Sequence, residues 1–180
     1  FVANLRENVA EEREYLREHP EEESGFLRAV LPLLSRRGPY QGIRRGEWPD
    51  WTGDDEQLSV LSDRSSNPLS EVLIGLIPTT ESWKVPIVVR LGGWNECPGP
   101  SHHAVMLRYW EKRYQTELIG LHYDTLELKV GRPPRSRREA LRLARQQYFY
   151  CQDIVDQGTE TLEQLAATLI DGTYWFFWWD

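Results

Sequence analysis

The stretch 92–103, which reads GGWNECPGPSHH, holds the residue types best suited to chemistry. Cys97 precedes His102 and His103 by five and six residues, and a thiol beside an imidazole can act as a nucleophile with its base. The stretch leads into a predicted helix start, where backbone amides lower the pKa of a thiol. Cys97, His103 and Asp153 are therefore the candidate catalytic residues. Residues so close in sequence need not face each other, so enzymatic activity stays open.

Other residues near this loop suggest binding rather than a metal site. The candidate binding residues are Trp94, Asn95, His102, Cys151 and Asp180. Two thiolates and two imidazoles could also form a tetrahedral zinc site, drawn from Cys97, Cys151, His102, His103 and His122. However, neither cysteine belongs to a CxxC pair and the histidines lack ligand spacing. We therefore predict no metal and no cofactor.

The acidic residues show no spacing that pairs two carboxylates for acid–base work. Those considered are Glu96, Asp124, Asp153, Asp156, Asp171 and Asp180. Asp180 follows a segment that should be buried, which favours a structural role such as capping a helix or pairing with an arginine. Asp153 is expected to stabilise a turn.

Charge and missing motifs exclude several classes of protein. The net charge of -7 argues against nucleic-acid binding through a basic field. Segment 132–145 has six Arg and one Glu and is predicted to be a solvated helix face, whereas residues 1–23 have eight Glu and three Arg. P-loop, dinucleotide-binding, zinc-protease and serine-hydrolase motifs are absent. Two distant cysteines and the lack of a membrane-length apolar run predict a cytoplasmic protein that does not bind membranes.

The elements that must position the loop are read from hydrophobic periodicity. Strands are predicted at 71–77, 85–91, 117–122, 125–130 and the aromatic tail 174–180. Helices are predicted at 101–114, from Ser136 to Tyr150 and at 159–170. Ser101 should cap the first, and Ser136 with Glu139 should form a capping box at the start of the second. Strands 117–122 and 125–130 should form a hairpin in which Glu127 and Lys129 face water.

The aromatic tail, YWFFWWD, should complete the core. We expect it to lie in the middle of a sheet with rings covered on both faces. The predicted fold is α+β, with a mixed or mainly antiparallel sheet of about five strands, packed helices and an N-terminal helical arm. The arm spans 1–35, and the main domain spans 69–180. Residues 36–68 form a connector with a short strand near 57–61, pinned by Trp48 and Trp51.

The motifs in 69–180 resemble those of the DUF4253 family, a bacterial domain of unknown function. The matching motifs are Gly93-Trp94-Asn95-x-Cys97-Pro98, Leu107-Arg108-x-Trp110-Glu111, Asp124-Thr125-Leu126-Glu127-Leu128, Arg132-Pro133-Pro134, Ala140 to Ala144, Tyr150-Cys151-x-Asp153 and Trp175-Phe176-Phe177-Trp178-Trp179-Asp180. Where the resemblance implies Glu-His, this chain has Gln146-Gln147, and Gln152 replaces a proline. If that pair is catalytic in the family, this chain is impaired.

Two functions follow as expectations. The acidic surface, the helical arm and the lack of a catalytic motif favour a protein-binding accessory module, immunity-like in role, whose partner is another protein. The alternative is a hydrolase or transferase that uses a Cys/His pocket around Asn95–His103 and is metal-dependent in one version. Burial of Cys97 among aliphatic side chains would favour the first, whereas a Cys97–imidazole contact at the floor of a pocket would favour the second.

Overall fold

The computed structural model describes residues 44–52, 61–62 and 67–180. The predicted helical arm lies outside the described residues, as does nearly all of the short strand predicted near 57–61. The described elements, in order, are a 3₁₀ helix (Ser82–Lys84), α1 (Val85–Val89), α2 (Pro100–Tyr114), β1 (Thr116–Leu121), β2 (Thr125–Val130), α3 (Arg137–Tyr150), a π-helical turn (Ile154–Thr159), α4 (Leu162–Leu169) and β3 (Tyr174–Trp178).

The described sheet has three antiparallel strands in the order β1-β2-β3. The antiparallel α+β fold and the hairpin are confirmed, and the His122 amide donates to the Thr125 carbonyl at 2.9 Å to close the turn. The prediction of about five strands is wrong. Glu71–Ile77 has no strand partner among the described residues, and the segment predicted as a strand at 85–91 forms α1 instead.

The helical conformation of Val85–Val89 has a local and a tertiary cause. Pro86 lies in the first turn, where its fixed φ suits a helix and its missing N–H costs nothing. The helix buries Ile87 and Val88, and Arg90 ends it in the left-handed region at φ 56°. Burial against the neighbouring elements therefore overrides the β-propensity of the Val and Ile run.

The aromatic tail forms a strand, as predicted, but it is an edge strand beside the central β2. Its core side meets Trp110 of α2, which is fully buried. The Trp110 ring stacks on Phe177 at 5.4 Å between centroids and meets Trp175 edge-on at 5.6 Å. On the other face of β3, Phe176 and Trp178 are only half-buried. Complete coverage of both faces was thus a wrong expectation.

The start of α3 agrees with the prediction from the sequence, whereas the start of α2 does not. The Ser136 half of the capping box is confirmed, because the Glu139 amide donates to Ser136 Oγ at 3.3 Å. The Glu139 carboxylate folds back as expected, but it accepts from Ser136 Oγ at 3.1 Å and from the Arg135 amide at 3.5 Å. At α2 the predicted Ser101 cap is wrong. Gly99 occupies the cap position and Pro100 is the first helical residue, which needs no amide partner.

Glu127 does not face water as predicted but is fully buried in the central strand. A buried carboxylate needs hydrogen-bond donors to offset its lost hydration. The Tyr174 hydroxyl of β3 donates to it. Tyr174 pairs with Lys129, two residues along the central strand, so the hydroxyl reaches Glu127 across the sheet.

Residues 44–48 of the connector are held against the start of α4. Arg45 Nε and the Gly46 amide donate to the two carboxylate oxygens of Glu163 at 2.5 and 2.8 Å. Trp48 packs on the core, and the Arg137 guanidinium lies 4.7 Å from its ring centroid. Trp51 is 50% exposed. The prediction that two tryptophans pin the connector therefore holds for Trp48 only.

Truncating the core side of β3 should cost far more than truncating its outer side. We expect Phe177→Ala to lower the free energy of unfolding by about 3–5 kcal/mol, because it leaves a cavity beside Trp110. The matched control Phe176→Ala removes a half-buried ring and should cost less than about 2 kcal/mol. Urea denaturation followed by tryptophan fluorescence measures both values. Equal losses would show that the tail does not bury one face preferentially.

Candidate functional site

The loop between α1 and α2 is folded by backbone hydrogen bonds around its glycines. The Gly93 amide donates to the carbonyls of Cys97 and Pro98 at 3.2 and 3.1 Å, and the Cys97 amide donates to the Trp94 carbonyl at 2.9 Å. Gly92 and Gly93 both have φ of +85°, a conformation that favours glycine. The loop therefore doubles back on itself and brings Cys97 close to the first turn of α2.

Gly92 has a second constraint, because no side chain would fit there. A Cβ atom on Gly92 would lie 1.9 Å from the Pro98 carbonyl oxygen and 2.6 Å from Nε2 of His103. A Cβ atom on Gly93, by contrast, would have nothing within 4 Å. The backbone at Gly92 is thus in direct contact with the imidazole that the sequence singled out.

The structure brings Cys97 and His103 together. The Cys97 sulfur lies 3.5 Å from His103 Nε2, and the Tyr150 hydroxyl lies 2.5 Å from His103 Nδ1. Trp179 meets the imidazole edge-on at 5.3 Å between ring centroids. All four side chains are buried. The loop, the start of α2, the end of α3 and the residue after β3 therefore meet at one imidazole.

Burial keeps this cluster neutral. It lowers the pKa of His103 to about 3, although a hydrogen bond with the Pro98 carbonyl partly opposes the shift. Burial also raises the pKa of Cys97 to about 12 and that of Tyr150 well above its usual value. A neutral imidazole has one N–H donor and one acceptor nitrogen, so Nδ1, beside the Tyr150 hydroxyl, and Nε2, beside the Cys97 sulfur, have opposite hydrogen-bonding roles. The geometry is a hydrogen-bonded network without a thiolate–imidazolium pair.

Cys151, Asp153 and Asp180 also come together, at the outer edge of the aromatic tail. The Cys151 thiol donates to the Trp178 carbonyl at 2.8 Å, and the Asp180 amide donates to the Asp153 carboxylate at 3.1 Å. The second Asp153 oxygen accepts from Gln157 at 3.0 Å. These contacts satisfy backbone groups that an edge strand would otherwise expose. In this arrangement Cys151 and Asp153 hold the tail in place.

The surface beside the loop presents aromatic and acidic side chains. Trp94 stacks on Tyr123 at 5.9 Å between centroids, and Tyr123 is 69% exposed. Asp124 accepts hydrogen bonds from His122 and Thr125, each at 3.0 Å. Burial tends to raise the pKa of Asp124, but these hydrogen bonds outweigh it and the pKa is lowered. The side chains of Asn95 and His102, which were predicted to bind, are exposed.

Two site residues were missed by reading the sequence. Tyr150, the partner of His103, had one available signal, its position beside Cys151 at the end of a predicted helix. Tyr123 was treated only as part of a tight connection. Among residues 44–52, 61–62 and 67–180, no three His, Cys, Asp or Glu side chains are grouped as metal ligands. In the same ranges no helix is both long enough and apolar enough to cross a membrane.

A family model described as "Domain of unknown function (DUF4253)" matches residues 73–180. The chain belongs to this family. The resemblance inferred from the sequence motifs is thereby confirmed. No curated protein and no solved structure matches the chain. The DUF4253 description carries no activity, so a function for this chain has to be inferred from its own geometry.

The two glutamines that depart from the expected DUF4253 pattern lie on α3, one turn before the Tyr150–Cys151 pair. Gln146 is half-buried and its amide lies 3.4 Å from the Tyr109 hydroxyl. Gln147 is buried, and its carbonyl accepts the Cys151 amide at 2.8 Å as the helix ends. Whatever a Glu-His pair does in related chains, the amide side chains here cannot transfer protons as a carboxylate and an imidazole can.

Comparing alanine at the two glycines of the loop tests the contact with His103. Gly92→Ala and Gly93→Ala share the cost of a positive φ, but only the first collides with Pro98 and His103. We expect Gly92→Ala to be less stable than Gly93→Ala by roughly 1–3 kcal/mol. Thermal and urea unfolding measure the difference. Equal stabilities would mean that the backbone at Gly92 does not support the imidazole.

Proposed function

We propose that this DUF4253 chain is a protein-binding module whose contact element is the apolar segment Leu69–Leu76. The observation that carries the proposal is the exposure of this segment. Leu73, Ile74 and Leu76 are 88%, 90% and 94% exposed. Leu69 and Val72 are exposed as well. Consecutive apolar side chains at this exposure are typical of surfaces that become buried on association.

The core of the described domain is built without this segment, which supports a role for the segment in binding. The core is already closed by the aromatic tail, α1 to α4 and β2. Residues 71–77 contain no turn or bend, and six of the seven are exposed. An extended apolar peptide can add to a partner through backbone hydrogen bonds and side-chain pockets.

The proposed setting is an accessory, immunity-like role in a bacterial cytoplasm, with another protein as the partner. The net charge of -7 supports a partner that is not a nucleic acid. The contact itself would be apolar, because Glu71 is the one charged residue between positions 69 and 77. Binding should therefore depend weakly on salt.

A second candidate function, a hydrolase or transferase based on Cys97, is favoured by one contact, the 3.5 Å approach of its sulfur to His103. Burial acts against it. The thiol is 5% exposed and its pKa is raised to about 12. A cysteine nucleophile needs a thiolate that a substrate can reach. The binding module is therefore the better-supported proposal.

Alkylation separates the two candidates. A pKa raised from 9.0 to about 12 lowers the thiolate fraction near pH 8 roughly 1,000-fold, and burial restricts access further. We expect native Cys97 to resist iodoacetamide at pH 8, whereas the urea-unfolded protein reacts at an ordinary rate. Peptide mass spectrometry distinguishes Cys97 from Cys151. Rapid, selective modification of Cys97 in the native protein would support the enzyme instead.

Photocrosslinking tests the binding segment directly. A photoreactive residue at position 74 in the producing cell should trap a discrete protein, and a synthetic peptide of residues 69–78 should compete in lysate. The same peptide with Ile74→Asp should not compete, because a charge opposes burial in an apolar contact. Position 89 is the control, since Val89 is an exposed apolar residue outside the segment. Equal trapping at both positions would contradict the proposal.

A further inference from the structure

Each edge of the described sheet is partly occupied by side-chain contacts. On β1, the Leu118 amide donates a hydrogen bond to Oγ of Ser82, the first residue of the 3₁₀ helix, at 3.3 Å. On β3, the Trp178 carbonyl accepts the Cys151 thiol and the Asp180 amide is held by Asp153. A strand added to either edge would have to displace these contacts. The chain's own sheet is thus a poor partner for the segment Glu71–Ile77.

The segment Glu71–Ile77 is itself suited to strand pairing. It reads EVLIGLI, contains β-branched residues and no proline, and is followed by Pro78, which stops a strand. It contains no turn or bend, and its apolar side chains are exposed. An exposed, strand-like apolar segment of this kind is a template for pairing with another chain.

The order of its residues is complementary to itself. In an antiparallel pair centred on Ile74, side chains alternate between two faces. One face carries Val72, Ile74 and Leu76 from both copies, with Val72 opposite Leu76 and Ile74 opposite its own copy. On the other face Leu73 lies opposite Gly75. The Leu73 side chain therefore covers the glycine backbone, which has no side chain of its own. Every side chain on the first face is apolar.

Charge also favours this register. Glu71 is the only charged residue in the segment, and it lies opposite Ile77 of the other copy. The two Glu71 carboxylates are therefore at opposite ends of the pair. Like charges directly opposite each other would destabilise it, and this arrangement avoids them. A two-fold axis through Ile74 makes the contact closed and symmetric, as in most homodimers.

We propose that the partner of the segment is a second copy of this chain, and that Glu71–Ile77 pairs antiparallel with itself about a two-fold axis at Ile74. This inference rests on the proposed function and names the partner. In this arrangement the interface between copies is formed by the exposed segment before the first described helix, and the sheet edges keep their side-chain contacts.

Disulfide trapping tests the register. In this register a cysteine at position 74 lies directly opposite the cysteine of the other chain. A cysteine at position 73 lies opposite Gly75, two residues away from the cysteine of the other chain. Disulfides need Cβ atoms roughly 4 Å apart. We expect Ile74→Cys to form a disulfide dimer at least ~10-fold faster than Leu73→Cys, which is equally exposed. The native Cys97 and Cys151 are buried and should not contribute.

Sedimentation equilibrium of the purified chain tests the association without a new thiol. We expect a dimer whose Kd rises at least ~10-fold in Ile74→Asp, because two like charges meet on the axis. The control Val89→Asp adds the same charge at another exposed apolar residue and should leave the Kd unchanged.

A chain that is monomeric at about 100 μM, or equal crosslinking at positions 73 and 74, would overturn the inference. The proposed function is tested separately. Photocrosslinking of a different protein at position 74 together with a monomeric purified chain leaves the binding module standing and overturns only the self-pairing. Failure of both experiments overturns both proposals.

Discussion

The removal of the C-terminal aromatic rings from water is the constraint on which the described domain depends. Phe177, Trp175 and Trp179 lie on one side of the final strand and are buried there. Trp110 is the surface that receives them, with Phe177 stacked on its ring and Trp175 edge-on. Large aromatic side chains dominate the energetics of a core of this size. The helices and the hairpin are arranged to supply the other walls.

The candidate site is a consequence of the same burial. Trp179 packs on His103, Tyr150 packs on both Trp110 and Trp179, and the loop at Gly92 closes over the imidazole. A thiol, an imidazole and a phenol are therefore held in contact in a place where charge is unfavourable. The residue types match a catalytic pair, but the environment favours their neutral forms. The contact between Cys97 and His103 suits catalysis, whereas the burial of both side chains opposes the charged forms that catalysis would use.

Two residues predicted to be functional instead make contacts at the edge of the sheet, next to β3. Cys151, predicted to bind, and Asp153, a candidate catalytic residue, satisfy the backbone of the tail at Trp178 and Asp180. On the opposite edge of the sheet, Ser82 accepts a hydrogen bond from the Leu118 amide of β1. The segment Glu71–Ile77 has exposed apolar residues and no strand partner among residues 44–52, 61–62 and 67–180. Association with another chain, as proposed above, would bury these residues.

The sequence by itself determined the elements whose signals are local. The Ser136 cap of α3, the hairpin turn and the apolar face of α2 follow from neighbouring residues, and all three formed as predicted. Its motifs also identified the DUF4253 family. Tertiary structure decided the rest, because the outcome depended on distant partners. Val85–Val89 is helical because Pro86 and burial override its β-propensity, and Glu127 is buried because Tyr174 reaches it from another strand. His103 meets Tyr150 because α2 and α3 converge on the tail, which no spacing within either segment encodes.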